Sequence, residues 1–143
     1  MKILAVDPYP ERSAWVIYNC IEERLISYGM ERNGTILFTI RDLDRQVGNL
    51  VIGMTSVDRM PAYDVCWAYI WAGRFIEAFT GPYTLLYYEE IELNLCGGSK
   101  GCDVKQALLK RLNGLDTAHS VDKDIWFALA IAVTYGDLYV KLD

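Results

Sequence analysis

Residues 2–18, KILAVDPYPERSAWVIY, decide how this chain is read. Lys2–Val6 is a short apolar run closed by Asp7-Pro8, the pattern of a buried strand that ends in a turn. AWVIY at 14–18 predicts a second strand a few residues on, and LISYGM at 25–30 a third after a short acidic connection. Connections this short join antiparallel neighbours, because a parallel return needs about a dozen residues.

Further along, the pattern changes period. Residues 34–47 carry apolar positions 36, 37, 40, 43 and 47, which favours a helix. A turn at Gly48–Asn49 leads to LVIGM at 50–54, a fully apolar strand. A long helix is predicted from Pro61 to about Thr80, where Gly81-Pro82 stops it. Its apolar residues Val65, Cys66, Tyr69, Ile70, Phe75, Ile76 and Phe79 recur at helical spacing, with Trp67 and Trp71 slightly off that face. The two tryptophans read either as packing or as a dimer or partner surface. YTLLYY at 83–88 predicts a fifth strand, and EEIELNL a short helix ending at Cys96-Gly97-Gly98. DVKQALLKRL at 103–112 forms an amphipathic helix with Asp103 as N-cap. Asp122–Tyr139 is a final helix, apolar nearly all round and therefore buried. Strands mixed with helices in this order predict one α/β domain over residues 1–143.

The 143 residues include 14 Lys plus Arg against 19 Asp plus Glu, for a formal charge of −5. That balance weighs against a generic DNA coat, whose affinity comes from cations meeting phosphates, although a local basic patch remains compatible with it. Hydrophobic content of 52% excludes disorder. No run approaches the ~20 apolar residues of a membrane span, and the start shows no signal-peptide pattern. A cytoplasmic protein with no membrane partner is the expectation. Cys20, Cys66, Cys96 and Cys102 follow no zinc-ribbon spacing, so they read as reduced thiols, with a Cys96–Cys102 bridge as the alternative. With one histidine, a His-rich metal site is excluded.

By pattern alone, Asp7 is either a turn-former or a side chain emerging at a strand end into a cleft. Asp124 opens a hydrophobic helix, where its charge also favours the helix dipole. Taken together with their surroundings, these positions resemble something known. ILAVDP followed by SAWVIY, then CWAYIWAGRFIEAF, LNLCGGSKGCD with QALL, and KDIWFALAIAVTYGD resemble the small phage-encoded RuvC-like Holliday-junction endonucleases of the ribonuclease H-like superfamily. The likeness runs from Lys2 to Asp137 in the family's order.

That resemblance implies a ribonuclease H-like mixed five-stranded sheet flanked by helices. It implies an active site of carboxylates from the first strand, the fourth strand and the last helix, which hold two Mg²⁺ ions about 4 Å apart to activate water and steady the leaving oxygen. Carried over, Asp7 is the first-strand ligand and Asp124 the last-helix ligand. Asp103 falls on an aspartate of the family's pattern, with Cys102 where a basic residue is expected. The family's dimers imply a homodimer through residues 61–80, with Trp67, Trp71 and Arg74 at the interface.

The departures point in one direction. The family's fourth strand ends in an Ile-Glu-Met pattern whose glutamate binds metal, and here it reads Ile52-Gly53-Met54. Asp58 is the nearest carboxylate and needs a bent chain to reach back. The Asp-Pro-Gly turn has become Asp7-Pro8-Tyr9-Pro10. Basic positions of the family read Tyr88, Glu92 and Asp122, each change subtracting attraction for a phosphate backbone. Remaining basic residues Lys100, Lys105, Lys110 and Arg111 form either a phosphate-facing rim or a solvated helix face. The expectation is therefore a RuvC-like phage protein that has lost metal-dependent cleavage and binds a nucleic-acid-processing or defence component. The alternative is an active Mg²⁺-dependent endonuclease on branched DNA, and a nucleotide-binding protein ranks third.

Overall fold

The computed structural model describes residues 1–98, 101–112 and 123–141, with Lys123 and Asp124 described for their backbone alone. Three strands come first: β1 (Lys2–Asp7), β2 (Arg12–Asn19) and β3 (Arg24–Arg32). Helix α1 (Asn33–Leu43) leads to β4 (Asn49–Met54), α2 (Ala62–Ala78), β5 (Tyr83–Tyr87), α3 (Tyr88–Cys96), α4 (Val104–Arg111) and α5 (Lys123–Tyr135). A π-helical turn, Gly136–Val140, continues from α5.

The strands form one mixed sheet in the order β3-β2-β1-β4-β5. β1 pairs antiparallel with β2, and β2 with β3, as their short connections require. β4 pairs parallel with both β1 and β5, each return being made through a helix. The side chains of the central strands alternate between two cores. Ile3, Ala5, Ala14, Val16, Tyr18 and Val51 pack with α5 on one face. Leu4, Val6, Trp15, Leu50 and Ile52 pack with Ile36 and Ile40 of α1 and Phe75 of α2 on the other. A sheet covered on both faces explains why β1 and β4 read as continuous apolar runs rather than alternating ones.

Two local readings are corrected. The buried side of α2 is Val65, Ala68, Ala72 and Phe75, so small residues let the helix approach the sheet. Cys66, Tyr69 and Ile70, expected inward, are exposed, and so are Tyr63, Trp67 and Arg74. Trp71 is half-buried, packed on Phe75 and covered by the Arg74 guanidinium, 4.3 Å from its ring centre. The second correction concerns the thiols. Cys96 and Cys102 form a disulfide, with Cα atoms 5.8 Å apart, while Cys20 and Cys66 are free. Gly97, at φ +60°, caps α3 in the left-handed region, and Gly98 and Gly101 also have positive φ; these turns bring the two cysteines together. Among the described residues, no helix is long and apolar enough to cross a membrane.

Candidate functional site

Strand parity and pairing place the two key positions together. Residues 3 and 5 of β1 and residue 51 of β4 face α5, so Asp7 and Gly53 face it too. β1 and β4 run parallel with Val6 opposite Ile52, which sets Asp7 and Gly53 next to each other at the carboxyl ends of adjacent strands. Ligand sites of open α/β sheets form at that edge.

A cavity of about 730 Å³ opens there. Asp7, only 6% exposed, lines it together with Tyr9, Arg59, Tyr88, Glu92, Asp103, Lys105, Trp126 and Phe127. The turn after Asp7 is fixed by a buried network. Ser13 Oγ donates to Asn33 Oδ1 (2.6 Å), Asn33 Nδ2 donates to the Tyr9 carbonyl (2.8 Å), and the Tyr9 N–H donates to Ser13 Oγ (3.0 Å). Two prolines and this network make Tyr9 a rigid wall of the cleft.

Gly53 is not an empty position. A Cβ built there lies 2.3 Å from Ile131 Cδ1 and 2.9 Å from Ile131 Cγ1, so α5 packs its isoleucine where a side chain of β4 would project. Beside it, Phe127 stacks on Tyr88 with ring centres 4.6 Å apart. The Arg59 guanidinium covers Tyr88 at 3.0 Å from its ring centre, and its Nη2 donates to Glu92 Oε2 at 3.0 Å. Burial pushes the Tyr88 phenol above its ordinary range and Glu92 adds to this, outweighing the opposing charge of Arg59. The hydroxyl is therefore neutral at physiological pH.

Asp103 lines the same cleft, and its Oδ1 accepts the Lys105 N–H at 2.9 Å, capping α4 as its sequence position predicts. Asp124 lies in the first turn of α5, the helix that faces Asp7 and Gly53; its side chain is outside the described residues. Asp58 is exposed and does not line the cavity, so it does not reach back to Gly53.

The basic positions separate. Lys105 lines the cleft, its Nζ 5.5 Å from the Trp126 ring centre. Lys110 is exposed on α4 and faces a smaller hollow behind the disulfide. Arg111 is committed to Asp137 through both terminal nitrogens and to Glu23 at 3.4 Å. Lys100 and Asp122 fall outside the described residues. Arg59, Trp126 and Phe127 are cleft residues that motif reading missed. The available signal for Arg59 was its place in the loop following a parallel strand's carboxyl end.

Among the described residues, no group of three or more His, Cys, Asp or Glu side chains is arranged to hold a metal ion. An Mg²⁺ pair needs several oxygen ligands around a shared space. Among the described residues, Ile131 packs over Gly53 beside Asp7 and the Arg59 guanidinium lines the cavity, so this lining does not fit that pair.

Sheet order, pairing and the helices on both faces make a mixed five-stranded α/β fold of the ribonuclease H-like kind, the fold that RuvC has. The similar solved structures bear that out. Thermus thermophilus RuvC superposes with a TM-score of 0.77 at 20% identity, covering 99% of this chain and 96% of that one. The structure of T. thermophilus RuvC in complex with a Holliday-junction substrate gives a TM-score of 0.74 at the same identity and coverage. No protein-family model matches the sequence, and no curated protein does.

Proposed function

We propose that this chain is a phage-encoded, cytoplasmic RuvC-fold protein that has lost metal-dependent cleavage and acts by binding a nucleic-acid-processing or defence component. The observation that carries the reading is the Ile131 side chain packed over Gly53, beside Asp7. A carboxylate lost by one substitution leaves room for water or a neighbouring acid to take over. A position covered by a buried isoleucine does not, because interiors are packed at crystal-like density. The Arg59–Tyr88–Phe127 stack and the acidic start of α3 (Glu89, Glu90) support the same reading.

The test is incubation with four-way and flap DNA in Mg²⁺ or Mn²⁺. No product above background is expected, whereas robust cutting abolished by Asp7→Asn refutes the proposal. The second reading, an active endonuclease, draws on Asp7 and Asp103 lining one cleft beneath the helix that carries Asp124. It requires two ordered metal ions between Asp7 and Asp124 in crystals soaked with Mn²⁺. We place the dimer contact on the exposed side of α2, where Tyr63, Trp67, Tyr69 and Ile70 lie with Arg74.

A further inference from the structure

Helix α4 forms one wall of the cleft and is held at its two ends rather than along its length. Among the described residues of the helix, Leu108 alone is buried. At the carboxyl end, Arg111 grips Asp137 of the π-helical turn through both terminal nitrogens. At the amino end, the Cys96–Cys102 bridge ties the residue before the Asp103 cap to the last residue of α3. α3 is itself anchored, Ile91 being fully buried in the core that α5 builds. The amino end is also the part that faces the cleft, since Cys102, Asp103, Val104 and Lys105 line it and the later residues of α4 do not. Behind the bridge, a hollow of about 500 Å³ is lined by Cys96 and Cys102 themselves, so the sulfurs are within reach of a small thiol from that side. Disulfides that form in the cytoplasm are mostly transient and redox-sensing, because the thiol pool there keeps cysteines reduced.

We propose that Cys96–Cys102 is a reversible thiol–disulfide exchange site for a small thiol of the glutathione kind, and that its redox state sets whether the amino end of α4 is held against the cleft or released from it. This rests on the cytoplasmic placement proposed above and is independent of the loss of cleavage. The thiolate of one glutathione bonds to one cysteine sulfur as the S–S bond breaks, and the other cysteine sulfur leaves with the electron pair and takes up a proton. A second glutathione thiolate attacks the mixed disulfide, freeing the remaining cysteine, which takes up the second proton, and leaving glutathione disulfide. With the bridge open, α4 keeps Leu108 and the Arg111 clamp but loses its tie at Cys102. Its first turn then hinges away from α3 while its last turn stays in place.

The experiment equilibrates the whole protein in glutathione buffers, from fully oxidised to about a hundredfold excess of the reduced form, at a temperature where the reduced protein stays folded. Acid quenching, alkylation and peptide mass mapping follow the thiols of Cys96 and Cys102. The bridge is expected to form in the oxidised buffer, to open in most molecules in the reducing one, and to close again on return. Amide hydrogen exchange by NMR then reads the wall. The Lys105 N–H donates to Asp103 Oδ1 (2.9 Å) and the Ala107 N–H to the Asp103 carbonyl (3.0 Å), and both should exchange about tenfold faster once the bridge is open. The Leu112 N–H, bonded to the Leu108 carbonyl (2.9 Å) beside the Arg111 clamp, should keep its rate. Cys96→Ser/Cys102→Ser should show the same pattern with no glutathione present. A bridge that survives the reducing buffer, or never forms in the oxidised one, overturns the proposal. So does an open bridge with Lys105 and Ala107 exchanging as before, or with Leu112 speeding up equally. Neither measurement involves DNA, metal or cells. The DNA assay therefore judges the loss of cleavage, and cell fractionation the cytoplasmic placement, on separate samples.

Discussion

Gly53→Ala is the sharpest perturbation of this molecule. Gly53 lies in a strand at ordinary φ, so a methyl group there carries no backbone penalty and the effect is purely one of space. The new Cβ falls 2.3 Å from Ile131 Cδ1, far inside contact distance, and Ile131 is fully buried within the α5 core. Overpacking of this kind costs about 1–3 kcal/mol. Loss of glycine's freedom in the unfolded chain returns about 0.4–1 kcal/mol. A net destabilisation of about 1–2 kcal/mol follows, or a fall in Tm of about 2–6 °C for a chain of this size. Ile131→Val removes the closest atom, leaving Cγ1 at 2.9 Å, and by itself costs about 0.5–1.5 kcal/mol. In the Gly53→Ala background it should cost about 1 kcal/mol less, a coupling read from a double-mutant cycle by urea denaturation. If Gly53→Ala is as stable as the wild type and Ile131→Val costs the same in both backgrounds, Ile131 does not sit over Gly53, and the case against a metal ligand there collapses. Gly53→Glu, which must also bury a charge, should fold poorly and restore no cleavage.

Reduction of Cys96–Cys102 opens a short loop and should cost about 2 kcal/mol by chain entropy, lowering Tm by several degrees on adding a phosphine reductant. In the native protein a thiol reagent should label exposed Cys66 but not buried Cys20, whose thiol burial pushes up to about 11; equal labelling of both contradicts that burial. Asp137 is partly desolvated, which alone raises its pKa, but hydrogen bonds from Arg111 and Asn94 and the Arg111 charge outweigh this and hold it below its ordinary value. Because the folded pKa is the lower one, its stabilisation is complete above about pH 5 and is lost as pH falls through the folded value. Asp137→Asn should remove that acid limb and cost about 1–3 kcal/mol at neutral pH, and an unchanged acid melting profile would count against the cluster. Trp67→Glu should convert a dimer seen by native mass measurement into monomer; a wild type that is itself monomeric removes the proposed α2 interface.

What the sequence made legible was whatever depends on local period and punctuation. Continuous apolar runs at β1 and β4 announced strands buried on both faces, and Asp103 announced a cap that the structure contains. The face of α2 was misread because spacing shows where apolar residues recur but not which side can approach the sheet. Ala68 and Ala72 win that side by being small, leaving the larger aromatic side chains outside. The bridge between Cys96 and Cys102 stayed open in the sequence because its geometry depends on left-handed glycines, whose φ values no spacing rule fixes. Arg59, Trp126 and Phe127 were missed for a different reason. Arg59 reaches the cleft from the loop after β4 and Trp126 and Phe127 from α5, so no short motif holds all three together.

Gly53 shows how far a single letter can be read. By resemblance, the sequence implies a glycine where a metal-binding carboxylate is expected, which on its own is compatible with a weakened site that water completes. The structure adds that the space is taken, and by a residue 78 positions further on, whose side chain the sequence offers only as one more apolar member of a buried helix. The two facts differ in consequence. A missing ligand lowers affinity for a cation by degrees, whereas a side chain at position 53 must also displace Ile131, which is buried in the core that α5 builds on the sheet. Recovering a carboxylate at position 53 therefore demands repacking at position 131 as well, and Gly53→Glu/Ile131→Ala is the smallest change that tests it: more stable than Gly53→Glu alone if the steric argument holds, and no better if the buried charge is what unfolds the single variant.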